Sequence, residues 1–146
     1  MAEEAPTPTS ADSLRARDEW QHAFPGSTVV WEETADEGVG HGFDGIDPSA
    51  MTRAFFRTSR PWAEVLAWYE NLLGANGWFG VRVRSNWWRW RRPELPGERF
   101  DLINRSHILE GWPGALDPDE PLAFEVLFRV STQPGVIPGE SATFGA

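Results

Sequence analysis

Arginine is the residue type in this chain whose number and spacing point most directly to chemistry. All 13 basic side chains are Arg, and the sequence contains neither Lys nor Cys. A guanidinium group binds a carboxylate or a phosphate through two parallel hydrogen bonds and stacks on aromatic rings. The absence of Cys excludes disulfides and thiolate catalysis, and the absence of Lys excludes Schiff-base chemistry. The composition therefore favours recognition of anions over covalent catalysis.

Positive charge is concentrated in the middle of the sequence. The net charge of −9 divides into −9 for residues 1–50, +5 for residues 51–105 and −5 for residues 106–146. An overall negative charge repels phosphate backbones at long range, so nucleic acid is not an expected partner. We expect the basic middle to bind an acidic protein segment or a small anionic ligand.

Alternation of side chains along predicted strands places these arginines on one face of a sheet. A two-residue turn at residues 85–86 would join strands 78–84 and 87–92 and set Arg82 opposite Arg89. The expected surface, called the arginine face below, consists of Arg53, Arg57, Arg82, Arg84, Trp87, Arg89, Arg91 and Arg129. In the same register the apolar residues of the hairpin face the core, namely Phe79, Val81, Val83, Trp88 and Trp90.

Two interpretations of the arginine face are open at this point. In one, the arginines bind an acidic partner or an anionic ligand. In the other, Asp101, Glu125 and the acidic flanks neutralise them within the same chain, because opposite charges on neighbouring strands commonly pair.

An enzyme or small-molecule binder is the alternative to an interaction module. The long segment 106–121 could close over a pocket, where His107 would act as an acid or base together with Asp101 or Glu110. No nucleophile motif accompanies His107. The sequence therefore favours a protein without catalytic residues.

The motifs indicate no cofactor and no metal. Gly40, Gly42 and Gly45 match the spacing of a dinucleotide-binding loop, but Ile-Asp-Pro follows them where that loop requires a helix. The three histidines lack metal-binding spacing, and the acidic loop clusters do not fit an EF-hand. We interpret the glycine-rich stretch as a connector.

The elements that would position these residues predict an α+β fold. A helix over 61–73 has apolar residues at the i, i+3, i+4 and i+7 positions, and a shorter N-terminal helix is expected over 11–23. We expect a two-layer sandwich, in which a mostly antiparallel sheet of about five strands carries the main helix on one face. The predicted strand segments are 28–32, 51–58, 78–84, 87–92, 99–104 and 122–130.

A single domain over residues 11–130 accounts for these elements. Residues 1–10 and 131–146 are rich in Pro, Gly, Ser and Thr and are predicted to be disordered tails. The sequence starts without a signal-peptide pattern and has no apolar run approaching the ~18 residues that a membrane span requires. We expect a cytoplasmic protein.

Residues 65–78 carry a resemblance. The pattern Val-Leu-x-Trp-Tyr-Glu-x-Leu-Leu is followed by Gly77-Trp78 and preceded by the strand 51–58. It resembles small proteins of high-GC Gram-positive bacteria, in which a helix ends in a Gly-Trp turn that leads into a hairpin. The resemblance spans residues 51–92 and implies a bacterial protein with a strand, helix and hairpin in this order. It implies no activity and no site residues.

The leading hypothesis is a non-enzymatic interaction or ligand-binding module whose arginine face meets an acidic partner or an anionic ligand. An enzyme or binder that uses His107 is the alternative. Formation of a homo-oligomer through the sheet face is a further alternative.

Overall fold

The structure is a computed structural model, and it describes residues 8–40, 47–105 and 122–132. The predictions for the segment 106–121, including His107, lie outside these residues. So do most of the two predicted tails. Among the described residues, Thr9 and Thr132 both hydrogen-bond to the carboxylate of Glu37.

The described residues form one six-stranded antiparallel sheet with three helices. This arrangement agrees with the α+β class, although the sheet has six strands where about five were expected. The order across the sheet is β1-β2-β6-β5-β4-β3. The helices are α1 (Ala11–Arg15), α2 (Asp18–Gln21) and α3 (Trp62–Ala75), and the strands are β1 (Thr28–Ala35), β2 (Ala50–Thr58), β3 (Phe79–Arg84), β4 (Trp87–Arg92), β5 (Leu95–Asn104) and β6 (Leu122–Val130).

The main core contains residues of α3 and of one face of the sheet. Val65, Tyr69 and Leu73 repeat every four residues along α3 and are buried, as the helical spacing predicts. They belong to one cluster with aromatic side chains of the central strands, among them Phe100 and Phe124. Burial of each large apolar side chain stabilises the fold by about 1.5–3 kcal/mol, so this cluster fixes α3 on the sheet.

The prediction of one N-terminal helix over 11–23 is wrong, because the segment forms the two short helices α1 and α2. Arg17 separates them with an extended backbone (φ −71°, ψ 146°). This conformation accompanies a bidentate ion pair from Arg17 to Glu98 of β5, at 3.0 Å for both contacts. The segment 11–23 has few apolar residues at helical spacing to stabilise one continuous helix. The charge-assisted ion pair therefore favours the extended backbone at Arg17.

The predicted register of the β3–β4 hairpin is wrong by one residue. The turn has the expected two residues, and Arg84 does pair with Trp87, but a bulge between Arg82 and Arg84 shifts the rest of β3. Arg82 therefore lies opposite Trp88 and not opposite Arg89. Because a one-residue shift reverses the side on which each side chain lies, Arg82 leaves the arginine face.

The same shift places two apolar residues on the opposite face from the one predicted. Val81 pairs with Arg89 and Phe79 pairs with Arg91, so both lie on the side of the arginine face rather than in the core. Gly80 takes the core-facing position, opposite Trp90. A Cβ atom at Gly80 would lie 2.5 Å from Nε1 of Trp90, so only glycine lets this indole cross β3.

No helix within 8–40, 47–105 or 122–132 has the length and apolar character of a membrane-crossing segment.

Candidate functional site

Several arginines of this face pair with carboxylates of the same chain, and two of them, Arg89 and Arg129, are buried. Nε of Arg53 donates to Glu125 at 2.6 Å, and Nε of Arg105 donates to the other oxygen of that carboxylate at 2.7 Å. Nε of Arg89 donates to Asp101 at 2.7 Å. These contacts correspond to the second interpretation of the sequence, in which carboxylates of the chain neutralise the arginines.

Arg129 links two carboxylates at the centre of this network. Its two terminal nitrogens donate to Asp47 at 3.0 Å and to Asp101 at 3.1 Å. Asp47 also accepts hydrogen bonds from the backbone N–H and the hydroxyl of Ser49. Asp101 is fully buried and accepts from both Arg89 and Arg129, so one carboxylate holds β4, β5 and β6 together.

Arg99 belongs to the same face, although it was not among the residues predicted there. It lies directly opposite Arg129 and is 2% exposed. Burial, followed by repulsion from Arg91, Arg89 and Arg129, lowers the pKa of Arg99 to about 10. Burial and repulsion from Arg89 also lower the pKa of Arg91. The alternation of Arg99 and Asp101 along β5 was the signal that would have placed Arg99 here.

Aromatic rings lie among these cations. The guanidinium carbon of Arg89 is 5.2 Å from the ring centre of Trp87, and that of Arg53 is 5.5 Å from the ring of Trp31. The predicted association of arginine and tryptophan is therefore present for Trp87. Arg57 lies farther along β2, where its Nε is buried and has no hydrogen-bond partner among the described residues.

Arg82 and Arg84 are separated from this network. Both lie on β3, which is the last of the described strands in the sheet and pairs with β4 alone among them. Both side chains are exposed, and neither forms an ion pair with any described residue. The structure thus divides the predicted site: Arg53, Arg89 and Arg129 are used inside the fold, whereas Arg82 and Arg84 lie at its border.

The outer border of the sheet is also where the largest exposed apolar side chains of the hairpin lie. Phe79 is 65% exposed and Val81 is 47% exposed. We call residues 79–84 the β3 edge. It combines a strand that pairs on one side, two exposed apolar side chains on one face, and two cations that no described carboxylate neutralises.

Among the residues that the structure describes, no group of three or more His, Cys, Asp or Glu side chains could hold a metal ion. The proposed acid–base role of His107 lies outside these residues and stays a prediction. Comparison of the chain with protein-family models, with curated proteins and with solved structures finds no match.

Proposed function

We propose that this protein is a non-enzymatic binding module that takes an extended acidic segment of a partner protein along the β3 edge. The observation that carries this proposal is the coincidence, on one six-residue edge strand, of exposed apolar residues and of arginines that no described carboxylate neutralises. The two-layer arrangement expected from the sequence would give such an edge a rigid support.

Strand addition supplies the affinity in this proposal. An edge strand presents a row of backbone N–H and C=O groups, and an extended peptide that pairs with them continues the sheet. Phe79 and Val81 alternate along β3 and share one side. Side chains of an added strand would lie next to them, so we expect apolar residues at alternate positions of the partner.

The arginines supply the selectivity. Arg82 and Arg84 are exposed, so each ion pair with a partner carboxylate is worth only about 0.2–1 kcal/mol. Charges of this kind raise the association rate and reject unsuitable partners more than they raise affinity. A partner strand with acidic residues is favoured, and a basic one is repelled.

A partner protein fits the β3 edge better than a small anion does. The arginines that could surround a small anion, Arg89 and Arg129, already donate to Asp101. Arg82 and Arg84 lie on opposite sides of β3, because they pair with Trp88 and Trp87 in a bulged register. Two guanidinium groups arranged in this way suit charges distributed along a strand rather than one compact ion.

The proposal is tested with two synthetic peptides that alternate Val with Glu or Val with Lys, titrated against the full chain by fluorescence anisotropy. We expect the acidic peptide to bind and the basic peptide to fail. Replacing both Arg82 and Arg84 with Glu should weaken binding of the acidic peptide by about tenfold or more. The matched control is Arg60→Glu, because Arg60 is also an exposed arginine but lies outside β3.

Two results would overturn the proposal. The first is equal binding of the two peptides, which would remove the role of the arginines. The second is reversible self-association of the full chain in analytical ultracentrifugation that is lost in the Glu33→Arg variant. Glu33 lies on β1 at the opposite border of the sheet, so that result would identify the occupant of the β3 edge as the acidic edge of a second copy.

A further inference from the structure

A small cavity lies on the helical side of the sheet, away from the β3 edge. Its volume is about 130 Å³, and residues of α2, β1, β2, β6 and α3 surround it. Phe56 and Val126 form an apolar floor, since they are 6% and 2% exposed. Val29, at 46% exposed, and the exposed His22 mark the side that opens to solvent.

Tyr69 contributes a hydroxyl group to this cavity. The residue is 2% exposed, and its oxygen accepts a hydrogen bond from the backbone N–H of Phe24 at 3.4 Å. Its own proton has no acceptor among the residues that the structure describes. Burial raises the pKa of Tyr69, so the hydroxyl stays protonated at neutral pH. A buried donor without an acceptor is unfavourable, and a ligand with an acceptor atom would relieve this cost.

Glu19 contributes the opposite kind of group. One oxygen of its buried carboxylate accepts from Arg17 at 2.8 Å and from the indole of Trp78 at 3.3 Å. The other oxygen accepts from no described residue. Glu19 and Glu32 both border the cavity, and their only described cationic partners are Arg17 and Arg15. The cavity therefore has no surplus of positive charge and does not suit an anion.

We propose that this cavity is a binding site for a small uncharged aromatic molecule of one ring that carries a hydroxyl group. The ring would lie on the apolar floor, and the hydroxyl would accept from Tyr69 and donate to Glu19. The size agrees with this class of ligand, because an engineered apolar cavity of about 150 Å³ takes up benzene. Neither the β3 edge nor its arginines take part.

The test uses phenol, benzene and benzoate as probes, titrated into the ¹⁵N-labelled full chain and followed by NMR. We expect phenol to bind more tightly than benzene, benzoate to bind least, and the largest shifts at the Phe24 amide and the Trp20 indole. Tyr69→Phe should weaken phenol binding by about tenfold and leave benzene binding unchanged. The benzene titration also shows whether the cavity survives in this variant.

Val29→Trp provides a second variant that fills the open side of the cavity from an exposed position, where the fold tolerates change. It should abolish the binding of both phenol and benzene. The proposal is overturned if phenol and benzoate bind equally, if Tyr69→Phe weakens phenol and benzene binding alike, or if Val29→Trp leaves phenol binding unchanged.

Discussion

The two edge strands of the sheet differ in how the rest of the chain supports them. On the β1 side, Arg15 of α1 pairs with Glu32 at 3.3 Å, and Asp36 accepts the backbone N–H of Ala11 at 2.8 Å. β3 receives no ion pair and no side-chain hydrogen bond from any described residue outside its own hairpin. Within the part of the chain that the structure describes, one edge is thus acidic and braced by the N-terminal segment, and the other is basic and open.

This difference explains why the two edges suit different roles. An open edge strand invites pairing with other chains, and natural proteins restrict such pairing with charges and bulges. β3 has both devices, in Arg82, Arg84 and the bulge between them. They discourage two β3 edges from pairing with each other, because like charges on adjacent strands repel. An acidic strand would meet no such barrier.

The largest effect is expected from a change that damages the interior shared by both edges. Asp101→Asn removes the charge that Arg89 and Arg129 share in a fully buried position. Two guanidinium groups would lose their common counter-ion, and we expect a loss of about 3–5 kcal/mol in the free energy of unfolding, measured with urea. Glu64→Gln, in an exposed pair with Arg60, should cost less than about 1 kcal/mol. Similar losses for the two variants would show that the buried network does not hold the strands.

The next effect concerns how β3 is held to the sheet. Gly80→Ala would place a methyl group 2.5 Å from Nε1 of Trp90, which is itself 2% exposed. We expect a loss of about 1–3 kcal/mol, because either the indole or β3 must move. Tryptophan fluorescence during urea unfolding reports the change.

Gly74→Ala is the matched control for that substitution. Gly74 lies in α3, and apart from its chain neighbours and the backbone of its own helix no atom lies within 4 Å of the position of an added Cβ. Alanine is the better helix former, so this variant should gain about 0.5–1 kcal/mol. If both glycine substitutions shift stability in the same direction, the close approach of Trp90 to β3 is not what anchors this edge.

A third effect tests the bracing near the β1 edge. The carboxylate of Glu37 accepts from the backbone of Thr9 at 2.8 Å, and from the backbone and hydroxyl of Thr132 at 2.9 and 2.8 Å. Glu37→Gln keeps the shape of the side chain but removes its charge and replaces one acceptor by a donor. We expect a loss of about 1–2 kcal/mol at pH 7, measured by urea unfolding.

The pH dependence of stability supplies the control for Glu37. Burial raises its pKa, but the hydrogen bonds from Thr9 and Thr132 outweigh burial and hold the pKa below the ordinary value for glutamate. A lowered pKa in the folded state means that this stabilisation is complete above the ordinary glutamate pKa and is lost as the pH falls through the lowered one. The difference between wild type and Glu37→Gln should therefore shrink in acid. A constant difference would contradict the role of the charge.

The sequence predicted the helix α3 and the positions of the strands, because their apolar periodicity is strong. Two strands are longer than expected, since β1 spans Thr28–Ala35 and β5 spans Leu95–Asn104 where 28–32 and 99–104 were predicted. The predicted place of Arg53 on the arginine face also agrees with its observed contact with Glu125. The register of the β3–β4 hairpin was not predictable in the same way. A bulge adds one unpaired residue to a strand. The sequence of β3, Phe-Gly-Val-Arg-Val-Arg, has an apolar residue at every second position with or without a bulge, so the pattern does not reveal the bulge.

The division of the arginine face was also beyond the reach of the sequence. Arg53 and Arg82 look equivalent as alternating cations, and only their places in the sheet separate them. Arg53 lies on a strand with two neighbours, one of which contributes Glu125 within 2.6 Å. Arg82 lies on a border strand whose neighbour presents Trp88. Strand order, which depends on long-range pairing, therefore decided which cations were available.

The smallest effect tests the openness of β3 directly. Val29 of β1 and Val81 of β3 have nearly equal exposure, at 46% and 47%. Val29→Thr and Val81→Thr should each change the free energy of unfolding by less than about 0.5 kcal/mol, because half of each side chain is already in water. The hydroxyl costs more where it is buried, so Val126→Thr, at 2% exposed, should lose about 1–3 kcal/mol. If Val81→Thr behaved like Val126→Thr, β3 would be covered in solution, and the contrast between a braced and an open edge would fail.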